Sequence, residues 1–240
     1  MIVRVVTIVA AGLLLAGCST EEGMRAQELL QQAETAQAAL TSSTFDGSMA
    51  ISVEGMMNVR MLFNGATAPE GEWVSLRTTG VPDGGDIALQ VLVRGGRAWT
   101  NIGGRWQSGP APAGAGSSAT MSAEAFQQLA QYVKDVRVTE HQLIGGKLST
   151  TIAGDIDTEG MIKAFAKLGS FAQGSSLDLS ELGLDIGDIH AVLTIDEKTR
   201  LLDTAYITFA MSAEGKHAEI ELRYRLATAN EPVRLPRAPG

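Results

Sequence analysis

The side chains best suited to chemistry are a short acidic run and three histidines. The segment Asp155-Ile156-Asp157-Thr158-Glu159-Gly160 matches the first six positions of a calcium-binding loop. The twelfth position of such a loop is a bidentate glutamate, and here it is Ala166. Apolar residues also repeat at helical spacing after Gly160. We therefore interpret the acids as the cap and first turn of a helix over 157–168, and not as a metal site.

The histidines do not form a metal or catalytic motif in the sequence. His141, His190 and His217 share no spacing typical of metal ligands. His190 and His217 fall at polar positions of predicted strands, where we interpret them as solvated side chains. The chain also lacks a Gly-x-Ser-x-Gly elbow, a Walker loop and a Gly-x-Gly-x-x-Gly motif after a strand. The sequence therefore predicts a protein that is not an enzyme and uses no cofactor or metal.

The single cysteine, Cys18, lies in a context that indicates a specific role. Arg4 precedes an apolar run at 5–16, which is too short to span a hydrocarbon core of about 30 Å as a helix. A charged start followed by a short apolar run and small residues is typical of a secretion signal. Leu15-Ala16-Gly17-Cys18 resembles a bacterial lipobox, whose cysteine is diacylated and becomes the new N-terminus. We expect residues 1–17 to be a signal peptide and Cys18 to be a membrane anchor. The alternative is an ordinary signal peptide with an incidental cysteine.

Composition excludes several classes of protein. The 240 residues carry 19 basic and 27 acidic side chains, and the net charge of -8 argues against a general nucleic-acid binder. An apolar content of 45% with 19% charged residues is typical of a folded chain. One cysteine cannot form a disulfide framework, and the length fits a single domain with a substantial core. If Cys18 is acylated, the folded part has no thiol, which suits an exported protein.

The spacing of apolar residues changes from helical to strand-like along the chain. Residues 24–40 repeat alanine and leucine at about 3.6-residue intervals, which predicts a helix after a polar tether at 18–23. From Thr44 onwards, alternating segments are joined by Gly-Gly pairs, which predicts about ten strands in antiparallel hairpins. We expect one further helix at 122–132, in addition to that at 157–168.

Two features of this pattern bear on binding. Residues 109–120 are rich in Pro, Ala, Gly and Ser, which predicts a flexible loop; the sequence leaves open whether this loop is a lid. Met49, Met57 and Met61 fall in the inward phase of the first hairpin, and methionine adapts to varied apolar partners. Two interpretations of the inward face stay open: a filled core between sheet and helices, or a sheet curved around an apolar cavity.

The order of elements, together with one phrase of sequence, resembles a known family. A lipobox is followed by an Ala/Gln-rich helix, long strands, Val-Arg-Gly-Gly-Arg-Ala-Trp-Thr-Asn-Ile-Gly-Gly-Arg-Trp at 93–106, a Gly/Pro/Ser loop, a helix and more strands. This order resembles the LppX/LprG lipoproteins of the wider LolA/LolB-like superfamily over most of residues 24–235. The resemblance implies an α+β fold, in which helices cover the concave face of a curved antiparallel half-barrel sheet. It also implies a cavity for acyl chains, with no catalysis and no cofactor.

We therefore predict a single LolA-like lipid-binding domain at 24–235 with a tail at 236–240. Its expected function is that of a membrane-anchored lipoprotein, facing the periplasm or the cell-wall space, that binds or carries lipid or glycolipid across the envelope. The alternative is a structural or sensory envelope lipoprotein with a filled core that acts through protein partners. The candidate ligand-binding residues share the inward phase of their strands: Met49, Ile51, Val53, Met57, Val59, Met61, Phe63, Leu89, Val91, Ile207, Phe209, Leu222 and Tyr224.

Overall fold

Eleven strands and one helix make up the described part of the chain. The structure, a computed structural model, describes residues 3–54, 57–81, 85–110, 132–158, 185–213 and 216–238. The elements, in chain order, are α1 (Val3–Ala38), β1 (Ser43–Val53), β2 (Met57–Ala68), β3 (Gly71–Thr79), β4 (Ile87–Arg94), β5 (Arg97–Ile102), β6 (Arg105–Pro110), β7 (Val133–Ile144), β8 (Lys147–Ile156), β9 (Asp185–Asp196), β10 (Leu202–Ala213) and β11 (Lys216–Ala229).

The strands form one antiparallel sheet in the order β6-β5-β4-β3-β2-β1-β11-β10-β9-β8-β7. Each strand from β1 to β6 pairs with the next, and so does each strand from β7 to β11, which makes two meanders. The pairing of β1 with β11 joins the meanders at the centre of the sheet. Because β6 and β7 form the two edges, the sheet is open. The predicted antiparallel sheet is confirmed, with eleven strands where we expected about ten.

Gly-Gly pairs make the tight turns of three hairpins. Each of these glycines has a positive φ, between 56° and 86°, and this backbone conformation twists a two-residue turn to match the flanking strands. The observed turns therefore lie where the sequence pattern predicted hairpins. The pairs are Gly95-Gly96, Gly103-Gly104 and Gly145-Gly146.

The helix α1 begins earlier than the sequence pattern indicates. Residues 18–23, expected to be a polar tether, are helical. Alanine, leucine and glutamate are good helix formers, and no proline interrupts the segment before Ala38. No helix among the described residues is both long enough and apolar enough to cross a bilayer.

One stripe of α1 packs against the half of the sheet formed by β7–β11. Ala26, Leu30 and Ala33 are almost fully buried and belong to the same apolar core as Ile152 and Leu193. Small side chains at this stripe let the helix lie close to the sheet. The helices expected at 122–132 and 157–168, which were to cover the concave face, lie outside the described residues apart from Tyr132, Asp157 and Thr158, as does most of the loop at 109–120.

The C-terminal segment packs on the other face of the sheet. Trp73 lies opposite Leu92, and Leu92 lies opposite Trp99, so these three side chains form a row across β3, β4 and β5. Val233 and the buried Leu235 pack against this row. Each face of the sheet therefore has its own apolar cluster, and Trp73 and Trp99 have structural roles.

Candidate functional site

All thirteen predicted ligand-binding residues lie on one face of the sheet, the face that carries α1. Residues directly opposite in an antiparallel pair share a face. Met49 lies opposite both Met61 and Leu222, and Leu222 lies opposite Ile207, so one apolar row crosses four strands. The other nine fall in parallel rows, as given by the pairs Ile51–Val59, Ile51–Ile220, Phe209–Ile220, Val53–Met57, Gly47–Phe63, Gly47–Tyr224, Phe63–Leu76, Leu76–Leu89, Gly65–Val74 and Val74–Val91.

Burial divides these residues into two groups. Ile207, Leu222 and Tyr224 are buried within the core beneath α1, and three more border that core, namely Met49, Phe63 and Phe209. The remaining seven lie on the same face outside that core, and each is half-buried or exposed. We call these seven the open apolar patch: Ile51, Val53, Met57, Val59, Met61, Leu89 and Val91.

The open apolar patch continues onto strand β3 and to the first residue of β4. Leu76 lies between Phe63 and Leu89, and Ile87 follows the same face with 49% of its surface exposed. Sequence reasoning placed a strand at β3 but nominated none of its residues. The alternation of apolar Val74 and Leu76 with polar Ser75 and Arg77 was the signal that could have identified Leu76.

Two aromatic rings lie flat on this face over glycines. A Cβ atom built on Gly47 would be 2.3 Å from Cζ of Phe63, and one built on Gly65 would be 2.3 Å from Cζ of Phe45. Phe63 is the cross-strand partner of Gly47, and Phe45 that of Gly65. A ring that lies along the sheet extends less far above the strands than an upright ring. These pairs therefore leave space above the sheet where the core meets the open apolar patch.

A buried polar contact ties α1 to the centre of the sheet. Burial raises the pKa of the Tyr224 hydroxyl, an effect that a hydrogen bond from the Gln37 side chain partly offsets. Gln37 is 1% exposed, and its Oε1 atom has no hydrogen-bond partner among the described residues. Tyr224 also stacks on Phe45, with ring centroids 6.0 Å apart. The contact fixes the helix over β11.

The three histidines lie apart from one another, and one of them contacts the acidic run. His190 Nδ1 is 2.6 Å from Asp155 Oδ1, and Asp157 forms an ion pair of 3.0 Å with Lys134. His217 Nδ1 is 2.8 Å from the Ser212 hydroxyl oxygen. No group of three or more His, Cys, Asp and Glu side chains suited to a metal occurs among the described residues.

A hydroxyl, an imidazole and a carboxylate meet beside the β9–β10 turn. Thr150 Oγ1 donates to Glu197 at 2.5 Å, and His141 Nδ1 lies 2.9 Å from the same hydroxyl oxygen. The hydrogen bond from Thr150 is the main cause of the lowered pKa of Glu197. Thr150 is 2% exposed, and its hydroxyl is bound to the carboxylate directly. The arrangement therefore holds three strand ends together and does not present a nucleophile.

The face opposite α1 carries a groove of about 880 Å³ that sequence reasoning missed. Its walls hold four arginines together with Tyr206, and Ser48 and Asn64 lie between them. From the sequence we expected the polar positions of the strands to be solvated. Nothing in the sequence indicated that β2, β3 and β11 bring their arginines together. The four are Arg60, Arg77, Arg223 and Arg225.

Comparison with known proteins supports the fold. No protein-family model matches the chain. No curated protein sequence matches it either. The solved structure of LprF from Mycobacterium bovis aligns with a TM-score of 0.50 and 17% identity, covering 90% of this chain and 98% of LprF. This chain has the fold of LprF. The lipoprotein LppX from Mycobacterium tuberculosis also aligns, with a TM-score of 0.45 and 14% identity over 88% of this chain and 98% of LppX. The LprF alignment confirms, for the open antiparallel sheet, the resemblance noted from the sequence.

The flat aromatic packing predicts that Gly47 is intolerant of a side chain. In Gly47→Ala the new methyl would meet the Arg223 carbonyl oxygen as well as Phe63, so we expect a loss of about 1–3 kcal/mol in the free energy of unfolding. Urea denaturation of the full chain measures it. Gly109→Ala is the matched control, since a Cβ there meets nothing within 4 Å. Equal stability of the two variants would contradict the packing described.

Proposed function

We propose that this protein is an envelope lipoprotein that binds acyl chains of a lipid on the open apolar patch and carries them, without catalysis. The observation that supports it best is the continuity of the patch with the core beneath α1. Seven apolar side chains of β1, β2 and β4 share the face of that core and stay partly accessible. The LprF-like fold is consistent with such a role.

The chemistry of the patch suits a flexible apolar ligand. Covering about 200 Å² of apolar surface with an acyl chain would stabilise the complex by about 5 kcal/mol, before the cost of ordering the chain. Met57 and Met61 lie on the same face of β2 with Val59 between them, and methionine adapts its shape to apolar partners. No charged side chain interrupts the face between them, because Val59 is the residue that intervenes on it. Binding would therefore depend on the length of the acyl chain more than on the chemistry of the headgroup.

The proposed anchor would emerge at the end of the sheet where the patch begins. A Cβ atom built on Gly23 would lie 3.7 Å from the carbonyl oxygen of Val136, near the start of β7. Cys18 precedes Gly23 by five residues, which is about 8 Å along a helix. The antiparallel order puts the start of β7 at the same end of the sheet as Val53 and Met57. An acyl chain that leaves the anchoring membrane would reach this end first.

A charge within the patch should abolish lipid carriage. We expect the full-length protein, purified from envelopes, to retain lipid in native mass spectrometry. In Met57→Glu the carboxylate would have to be desolvated against the acyl chain, so bound lipid should fall by about tenfold or more. Leu143→Glu is the matched control, because Leu143 is an exposed apolar residue on the edge strand β7, away from both the open apolar patch and the groove that the arginines line.

Two outcomes of this experiment would contradict lipid carriage. One is wild-type protein without lipid, which would favour the alternative of a structural or sensory lipoprotein acting through protein partners. The other is equal loss of lipid in both variants, which would place the ligand elsewhere.

The anchor is tested separately from the patch. We expect Cys18→Ser to move the protein from the detergent phase to the aqueous phase in Triton X-114 partition, since two acyl chains are needed for stable anchoring. Metabolic labelling with a palmitate analogue checks that the label is lost. Ser19→Ala, one residue along, should keep both properties. Palmitate label that persists in Cys18→Ser would show that the cysteine is not the anchor.

A further inference from the structure

The groove on the face opposite α1 concentrates positive charge on an acidic protein. In one row across the sheet, Arg77 lies opposite Leu62, Leu62 opposite Ser48, and Ser48 opposite Arg223. The neighbouring rows contribute Arg60 and Arg225. Among the residues that line the groove, these four arginines are accompanied by one acid, Asp46. Asp86 and Glu221, which do not line the groove, pair with Arg77 and Arg223, so four arginines face three acids here, on a chain whose net charge is -8.

Two of the arginines are held by acids at the ends of the groove. Arg225 Nε and Nη2 donate to the carboxylate of Asp46 at 2.7–3.1 Å. Arg77 donates to Asp86 Oδ2 at 2.6 and 3.2 Å. When two nitrogens of a guanidinium both donate to one carboxylate, the side chain has little capacity left to bind another anion. These two side chains therefore shape the ends of the groove.

The other two arginines are available to a ligand. Arg223 makes one 3.3 Å contact with Glu221, and its guanidinium lies 5.1 Å from the centre of the Tyr206 ring. The ring fixes the guanidinium plane while its donors remain accessible. No acidic side chain is paired with Arg60 among the described residues. Arg60 and Arg223 flank β1 on strands β2 and β11, whose backbones are about 10 Å apart, and Ser48 lies between them.

We propose that Arg60 and Arg223, with the Ser48 hydroxyl, bind a phosphate group of an anionic ligand in this groove. Two planar guanidinium forks and a hydroxyl match the oxygens of one tetrahedral phosphate. A volume of about 880 Å³ suits a small polar ligand, whereas a stable protein partner would cover a larger surface. The sheet separates this groove from the open apolar patch. The two sites therefore act on different groups, and the inference stands or fails independently of acyl-chain binding.

The phosphate could come from a soluble ester or from the headgroup of an anionic lipid, and binding assays distinguish these sources. The assays use the full chain with Cys18→Ser, so that acylation does not drive membrane attachment. Glycerol 1-phosphate is titrated by calorimetry. Vesicles of phosphatidylcholine, with and without phosphatidylglycerol, are tested by flotation, and a glutamate-rich peptide tests for a protein ligand.

The decisive comparison is between two double variants that change the net charge equally. We expect Arg60→Gln with Arg223→Gln to weaken binding of the phosphate probe by about tenfold or more. Arg105→Gln with Arg137→Gln, two exposed arginines on β6 and β7, should leave it unchanged. Binding of glycerol 1-phosphate supports a soluble source, and binding only to phosphatidylglycerol vesicles supports a headgroup.

Three results would overturn the proposal. They are absence of binding to every phosphate probe, equal loss in both double variants, and a preference for the glutamate-rich peptide over phosphate. Because all four substituted arginines are solvent-exposed, both double variants should fold. Matching thermal melts confirm this before binding is compared.

Discussion

The pairing of β1 with β11 is the interaction on which the rest of the structure depends. It joins residues 43–53 to residues 218–229, which are far apart in the chain, and turns two meanders into one sheet. The same pairing determines which side chains lie together on each face of the sheet. The pair Met49–Leu222 connects the open apolar patch to the core beneath α1. On the other face, the pair Asp46–Arg225 forms one end of the arginine groove. A shift of one residue in this register would exchange the two faces.

A single layer of strands therefore supports two chemically distinct surfaces. On one face α1 covers the core of β7–β11 and leaves the seven residues of the open apolar patch on β1, β2 and β4 partly accessible. On the other face the C-terminal segment covers Trp73, Leu92 and Trp99, and the arginine groove lies beside it. Each surface is half covered and half open. The covered halves stabilise the fold, and the open halves are the surfaces on which we propose ligands bind.

Much of this could be predicted from the sequence, because side-chain alternation and Gly-Gly turns are local signals. They gave the strands, the antiparallel class and a set of thirteen residues that do share one face. They could not give the extent to which α1 covers that face, since a stripe such as Ala26, Leu30 and Ala33 does not specify which strands it contacts. The arginine groove was also missed, because Arg60 and Arg223 meet only through the long-range pairing of β1 with β11.

The most direct test of the central claim is methionine oxidation by hydrogen peroxide, followed by peptide mass spectrometry, with and without an added long-chain phospholipid. If the open apolar patch is accessible and binds acyl chains, Met57 and Met61 will oxidise in the lipid-free protein and become protected when lipid is added. Met24, which is 66% exposed on α1, should oxidise equally in both conditions and serves as the internal control. Unchanged oxidation of Met57 and Met61 at saturating lipid would contradict the account.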